Sequence, residues 1–163
     1  PLKALMILKG LVTKMRAVIQ RVLKANVKVD GEACAQIDKG LLVLLGILPK
    51  DDDKTIDYML DKMVNLRIFE DDGGKMNLSL KDVKGSLLIV PNFTLYGDAR
   101  KGRRPTYSLG ASPDEARRIF ECVKEASKKL PVETQFGIFQ ADMKVELIND
   151  GPVTILLDSE KLF

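Results

Sequence analysis

In SLLIVPNFTLYGD, residues 86–98, an apolar run meets Pro91 and Asn92 and then continues as Phe93, Thr94, Leu95 and Tyr96. Residues 86–90 have the length and the β-branched, apolar character of a buried strand. Proline cannot donate to a sheet ladder, so the pair Pro91-Asn92 ends the strand just where residues 93–96 resume strand-like chemistry. Either Thr94 is a strand residue placed for β propensity, or the break turns the N–H groups of Phe93 and Thr94 away from the ladder, toward a developing oxyanion.

The chain on either side predicts mostly strands. Residues 15–29 alternate apolar and polar, and Asp30-Gly31 supplies a tight hairpin turn into a second strand at 33–37. Residues 40–48 are almost continuously apolar, as in a strand buried on both faces. Asp51, Asp52 and Asp53 read as a helix start rather than a metal site, because negative charge favours the exposed N–H groups there and no second carboxylate cluster follows. Ile56, Met59, Leu60, Met63 and Val64 recur at helical spacing and form one stripe facing a sheet.

Residues 66–69 read as a strand and 71–74 as a turn, while 97–111, rich in Gly, Arg and Pro, read as an exposed loop. Ser112-Pro113-Asp114-Glu115 carries a cap, a first-turn proline and a capping-box glutamate, and the helix continues through Ile119, Phe120, Val123 and Leu130. Three strands follow, at 132–139, 143–148 and 153–157. Many strands, two helices and no strict alternation give one α+β domain.

With 163 residues, 45% hydrophobic and 30% charged, the chain has the composition of a folded globular protein. No apolar run reaches bilayer-spanning length, which argues against a membrane partner, and Cys34 and Cys122 read as free thiols of a cytoplasmic protein. The net charge of +3 is unevenly spread. Arg100, Lys101, Arg103 and Arg104 concentrate cations in the loop, with Arg117, Arg118, Lys128 and Lys129 on a helix; this is a solvated basic face or a phosphate-binding surface. The chain contains no histidine. That excludes Ser-His-Asp and Cys-His catalysis and imidazole metal sites, so the reading carries no metal and no cofactor.

A second interruption lies at Asn149-Asp150-Gly151-Pro152, between two apolar strands. Such a tetrad is a hairpin turn, or a place where glycine lets another backbone approach and an X-Pro bond adopts cis.

The segments MRAVIQRV, LLVLLGI, KMNLSL, NFTLYGD, GRRPTYSLGASPDEA and ADMKVELINDGPVT, in this order from Met15 nearly to the C-terminus, resemble the bacterial D-aminoacyl-tRNA deacylases. Residues 1–14 have no counterpart and read as an extension ahead of a deacylase domain at 15–163. That family carries a Ser-Gln-Phe-Thr-Leu motif, matched here at Phe93, Thr94 and Leu95 with Pro91 and Asn92 replacing Ser and Gln. Its Gly-Pro-Val-Thr motif is intact at Gly151, Pro152, Val153 and Thr154.

The resemblance implies an antiparallel-rich, barrel-like homodimer that hydrolyses the ester joining a D-amino acid to the 3′-terminal adenosine of tRNA, with glycyl-tRNA a further candidate substrate. It implies catalytic roles for Asn92, Phe93 and Thr94, and a cis Gly151-Pro152 bond that reaches into the partner's pocket and rejects L-residues. Arg21 supports that motif. The basic residues 100–104 then contact the acceptor stem. Backbone oxyanion stabilisation is the first mechanism, with Thr94 as covalent nucleophile the rival. An RNA-binding module without catalysis and an inactive relative are the other classes, and turnover separates them.

Overall fold

Asp30 and Gly31 take positive φ values of 51° and 83°, the turn geometry that matches the twist of paired strands. They join β1 (Arg16–Val29) to β2 (Glu32–Ile37) as an antiparallel hairpin. The computed structural model describes residues 15–107 and 112–163, so the extension at 1–14 lies outside the described residues. Beyond the hairpin come β3 (Gly40–Gly46), helix α1 (Asp53–Asn65), β4 (Phe69–Glu70), β5 (Met76–Leu78), β6 (Ser86–Pro91), helix α2 (Pro113–Ser127), β7 (Thr134–Phe136) and β8 (Met143–Asp158).

The long strand β1 organises the sheet. Its first half pairs with β3 and its second half with β2, while β8 runs antiparallel along its other edge. From β3 the sheet continues through β6 to β7 by parallel pairing. The Gln36 N–H on β2 donates to Gln135 Oε1 on β7 at 2.8 Å, which draws the two ends of the sheet together into a nearly closed barrel. The fold is therefore α+β, rich in antiparallel strands, with two helices packed on the sheet.

Period-two alternation divides the apolar side chains between two cores. Leu41, Val43 and Leu45 of β3, with Leu87 and Ile89 of β6, pack under the helices against Ile56, Met59, Met63, Ile119, Phe120 and Val123. Leu42, Leu88 and Val90 face the other way, into the barrel, against Val22, Ala25, Val27 and Ile37. Both strands are buried on both faces, as their unbroken apolar runs predict.

Both helix starts follow their sequence signals. Asp52 caps α1 by accepting the Thr55 N–H at 2.9 Å. Ser112 caps α2 by accepting the Glu115 N–H at 3.4 Å, and its hydroxyl donates to the Glu115 carboxylate at 3.2 Å.

Four expectations are corrected. The strand read at 66–69 is only Phe69–Glu70, because the Leu66 N–H closes α1 on the Lys62 carbonyl at 2.9 Å. The strand read at 132–139 is Thr134–Phe136. Residues 93–96 form a 3-10 turn, not a strand; the Asn92 side chain offers the following backbone a partner that competes with a ladder. Residues 143–158 form one strand rather than two, since β1 pairs with both halves and absorbs Asp150, Gly151, Pro152 and Val153 as a bulge opposite Arg21.

One glycine fixes the spacing of β3 and β6: a Cβ on Gly40 would overlap the Ser86 carbonyl on the neighbouring strand. Backbone cannot yield as a flexible side chain does. Gly40→Ala should cost about 2 kcal/mol or more, read as a lower urea midpoint at unchanged slope; an unaltered midpoint would show that the two strands are free to separate.

Candidate active site

The parallel ladder of β3 and β6 extends one residue past Pro91, since the Asn92 N–H donates to the Leu45 carbonyl at 2.8 Å. There the chain leaves the sheet. Asn92 Oδ1 accepts from the Thr94 N–H at 3.2 Å and from the Thr94 hydroxyl at 2.5 Å, which caps the turn Phe93–Tyr96. The Phe93 N–H, at the first position, has no acceptor within the turn. Phe93 and Thr94 are both exposed, and the Phe93 ring meets Tyr107 edge-on with centroids 5.3 Å apart.

This turn forms one wall of a cleft of about 870 Å³. Its lining combines Pro91, Asn92, Phe93, Thr94 and Tyr107 with the segment Phe139 to Met143 and with the strand residues Leu44 and Val90. Arg117 of α2 steadies the segment Phe139 to Met143: its guanidinium donates to Gln140 Oε1 at 2.8 Å and lies 5.1 Å over the Phe139 ring. The volume is that of a small-molecule binding cleft. Among the described residues of the lining, the one acidic group, Asp142, is engaged by Lys144 at 2.9 Å.

Tyr96 anchors the turn from below. Only 4% of it is exposed, its ring is so close to Gly46 that a Cβ there would meet Cε2 at 2.8 Å, and the Arg16 guanidinium lies 5.5 Å over it. Arg16 in turn donates to the buried Asp158 carboxylate at 3.0 Å. Burial pushes the Tyr96 hydroxyl far above its ordinary value, and the neighbouring Asp51 charge adds to the effect. Asp51, which the sequence offered only as part of a helix start, is itself buried. Its Oδ2 accepts the Leu48 N–H at 2.7 Å, while its Oδ1 has no partner among the described residues.

The second cluster surrounds Arg21, which is 5% exposed. Its Nε donates to the Asp150 carbonyl at 3.0 Å and its Nη1 to the Ile68 carbonyl at 2.8 Å, with the Asp150 and Glu70 carboxylates at 3.4 and 3.7 Å. Gly151, at φ 132°, is followed by a cis bond to Pro152. Asn149 closes the bulge, accepting the Val153 N–H at 2.9 Å and donating to Thr154 Oγ1 at 3.1 Å. A side chain at Gly151 would crowd Val153 and Arg21 Nη2. Gly151 and Pro152 are exposed and do not line the cleft of their own chain.

The basic loop is pinned where Asp98 and Thr106 bridge, one residue before Tyr107 of the cleft lining. Arg100 folds back onto Asp98 at 2.6 Å and holds that carboxylate well below its usual range, through side-chain and then backbone hydrogen bonds. Lys101, Arg103 and Arg104 are exposed. The structure thus brings Asn92, Phe93 and Thr94 together, gathers Arg21, Gly151 and Pro152 elsewhere, and leaves the loop cations exposed to solvent in the segment that leads to Tyr107. Sequence reasoning missed Tyr107, Phe139 and Asp51. No periodicity marks the first two, and the third was hidden in a run of three aspartates.

The family model described as D-Tyr-tRNA(Tyr) deacylase matches residues 18–158. A D-aminoacyl-tRNA deacylase of Kosmotoga olearia is 59% identical over 150 residues, 91% of this chain and 100% of the relative. That of Desulfotalea psychrophila is 57% identical over 149 residues, with the same coverage. Among solved structures, a c-Myc DNA unwinding element binding protein superposes with a TM-score of 0.81 at 39% identity, covering 87% of this chain and 97% of the other. A probable eukaryotic D-amino acid tRNA deacylase superposes at 0.72 with 17% identity, over 89% and 99%, and shows the fold alone. The class so defined is a hydrolase acting on aminoacyl-tRNA ester bonds. The chain belongs to the D-Tyr-tRNA(Tyr) deacylase family.

The buried Asp51 has a consequence for stability. Burial raises its pKa from 3.8 to about 7; the Leu48 hydrogen bond opposes that rise and the Asp52 and Asp158 charges add to it. The folded chain therefore keeps a proton that the unfolded chain releases once pH passes 3.8, and stability falls as pH rises toward 7. Asp51→Asn keeps an acceptor for Leu48 but cannot ionise. Its Tm should depend less on pH than the parent's between pH 3.8 and about 7; equal slopes for the two proteins would place Asp51's titration outside this window.

Proposed function

We propose that the chain hydrolyses the ester of D-aminoacyl-tRNA, releasing free D-amino acid and tRNA, with the turn at Phe93 stabilising the oxyanion. The observation that carries this reading is the exposed, capped turn of Asn92, Phe93 and Thr94 lining a cleft of about 870 Å³. An aminoacyl ester is already activated and has a vicinal ribose hydroxyl, so the barrier to be lowered is smaller than for an amide. One backbone donor to the tetrahedral oxyanion supplies about 3 kcal/mol. Of the two N–H groups read from the sequence, Thr94's is engaged by Asn92, which leaves Phe93's as the donor on this reading.

The covalent alternative is weaker on geometry. The Thr94 hydroxyl proton points to an amide oxygen, which is not a base, and Asp142 on the cleft wall is paired with Lys144. A hydroxyl without a base is a poor nucleophile near neutral pH.

Selection by handedness falls to Gly151 and Pro152. Because they are exposed yet outside their own chain's cleft, the reading has them enter the cleft of a second copy, making the working unit a homodimer. Arg21 holds the segment from behind through the Asp150 carbonyl. The α-ammonium, ester and side chain of a bound residue then occupy three fixed directions, and an L side chain meets backbone whatever its identity. Glycine escapes the filter. The exposed cations Lys101, Arg103 and Arg104, with Arg100, take the phosphates of the acceptor stem, and the substrate places the enzyme in the cytoplasm.

Matched D- and L-tyrosyl-tRNA test this reading. The D ester should be cleaved at least about a hundredfold faster, and equal rates would overturn the filter. Neutralising Arg103 and Arg104 together should raise KM and flatten its salt dependence by about one unit of log–log slope per lost phosphate contact, with kcat little changed. An unaltered salt slope would make the loop an ordinary solvated surface.

A further inference from the structure

We infer that Asn92 is a positioning residue that fixes the Thr94 hydroxyl as a hydrogen-bond acceptor facing the cleft, so that Thr94 receives a donor from the bound aminoacyl-adenosine. This deepens the reading above and rests on it.

The assignment follows from what each group can do. A backbone N–H only donates, so the Asn92 atom 3.2 Å from the Thr94 N–H must be the amide oxygen, which settles the orientation of the amide. The Thr94 hydroxyl lies 2.5 Å from that same oxygen. An amide oxygen only accepts, so the hydroxyl proton is committed to Asn92 and is not offered to a ligand. What remains on Oγ1 is lone pairs. Thr94 is exposed and lines the cleft, so those lone pairs are available to an N–H or O–H donor of a ligand.

The device is held from both sides. Asn92 is the last rung of the sheet, its own N–H bonded to the Leu45 carbonyl at 2.8 Å, and the Thr94 carbonyl accepts the Gly97 N–H at 3.0 Å. Its amide oxygen is therefore set by β3, and the hydroxyl is set by that oxygen. Without this partner the hydroxyl would rotate freely, and could equally present its proton. A donor hydroxyl would repel the ammonium of the amino acid and the hydroxyl protons of the ribose, whereas an acceptor attracts either. The cleft offers the terminal aminoacyl-adenosine both kinds of donor, and the substrate arms below separate them.

The test is a double-mutant cycle on single-turnover deacylation of D-tyrosyl-tRNA. Thr94→Val keeps shape and backbone but removes the hydroxyl, and should lower kcat about tenfold with KM within about twofold. Thr94→Ser restores the hydroxyl and should recover most of the rate. Asn92→Ala should fall by a similar factor, and the double variant should be no slower than the slower single one, because each substitution removes the same interaction. Multiplicative losses in the double variant would overturn the inference, as would a Thr94→Val enzyme with parental kcat. The second result stands even where Asn92→Ala does not fold, which a thermal melt decides.

A D-tyrosyl ester on tRNA ending in 2′-deoxyadenosine separates the donors. If the ribose hydroxyl is the partner, Thr94→Val has no further effect on that substrate; if the ammonium is, the factor of about ten persists. A parent protein that cleaves neither D- nor L-tyrosyl-tRNA would defeat the proposed activity itself, and so differs from every outcome that defeats only the role of Asn92.

Discussion

The ladder between β3 and β6 is the constraint on which the remaining structure depends. Both strands are buried on both faces, so their backbone groups have no water to turn to and must pair along the whole length. Gly40 admits the close approach at one end. At the other, pairing continues through the Asn92 N–H before the chain leaves the sheet. The departure point of the turn is thus set by the rigid centre of the domain, and the cleft wall inherits that rigidity. A catalytic arrangement built on main-chain groups needs this, because misplacing a donor by even one ångström forfeits much of its effect.

The two interruptions solve the same difficulty in opposite ways. At Pro91 the strand stops pairing, and a side-chain amide takes over as partner to the next N–H groups. At residues 150–153 the strand resumes after a bulge, and a buried guanidinium accounts for the displaced carbonyl. Arginine suits the second position because its fixed fork reaches two carbonyls from different elements while two carboxylates sit near enough to balance its charge. The same economy governs the support beneath the turn, where Arg16 pairs with Asp158 and lies over the Tyr96 ring. Asp51 departs from it, for burial outweighs its hydrogen bond from Leu48 and raises its pKa to about 7, so that its carboxyl keeps its proton well above the usual carboxylate range.

Much of this was legible in the sequence. Alternation in residues 15–29 and the unbroken apolar run after Gly40 gave half-buried and fully buried strands, because those patterns follow from which faces meet a core. The Asp30-Gly31 turn and the Ser112 cap were legible because their chemistry is local. Phe93–Tyr96 was misread as strand: the β propensity of Phe and Thr yields to an acceptor supplied one residue earlier, and propensity scales hold no term for that. The unity of β8 was hidden because Asn149-Asp150-Gly151-Pro152 is turn chemistry, and only the long partner β1 shows that the chain continues in the same direction. The pairing of Arg21 with Asp150, 129 residues apart in sequence, is a property of register that no local pattern reveals.

A site working through backbone position shifts the burden from the identity of the reacting side chains to the residues that hold the backbone. On the proposed reading this explains how a chain without histidine performs ester hydrolysis, and how Pro91 and Asn92 stand where the family motif has Ser and Gln. Pro91 lacks an N–H, but the ladder bond that matters is made by the next residue. Asn92 keeps an amide oxygen on the strand side of the turn, and that atom alone arranges both the Thr94 N–H and its hydroxyl. Any replacement of Asn92 that removes the oxygen frees the Thr94 hydroxyl to present its proton as readily as its lone pairs, and so alters the charge offered to the substrate through a residue that need not touch it.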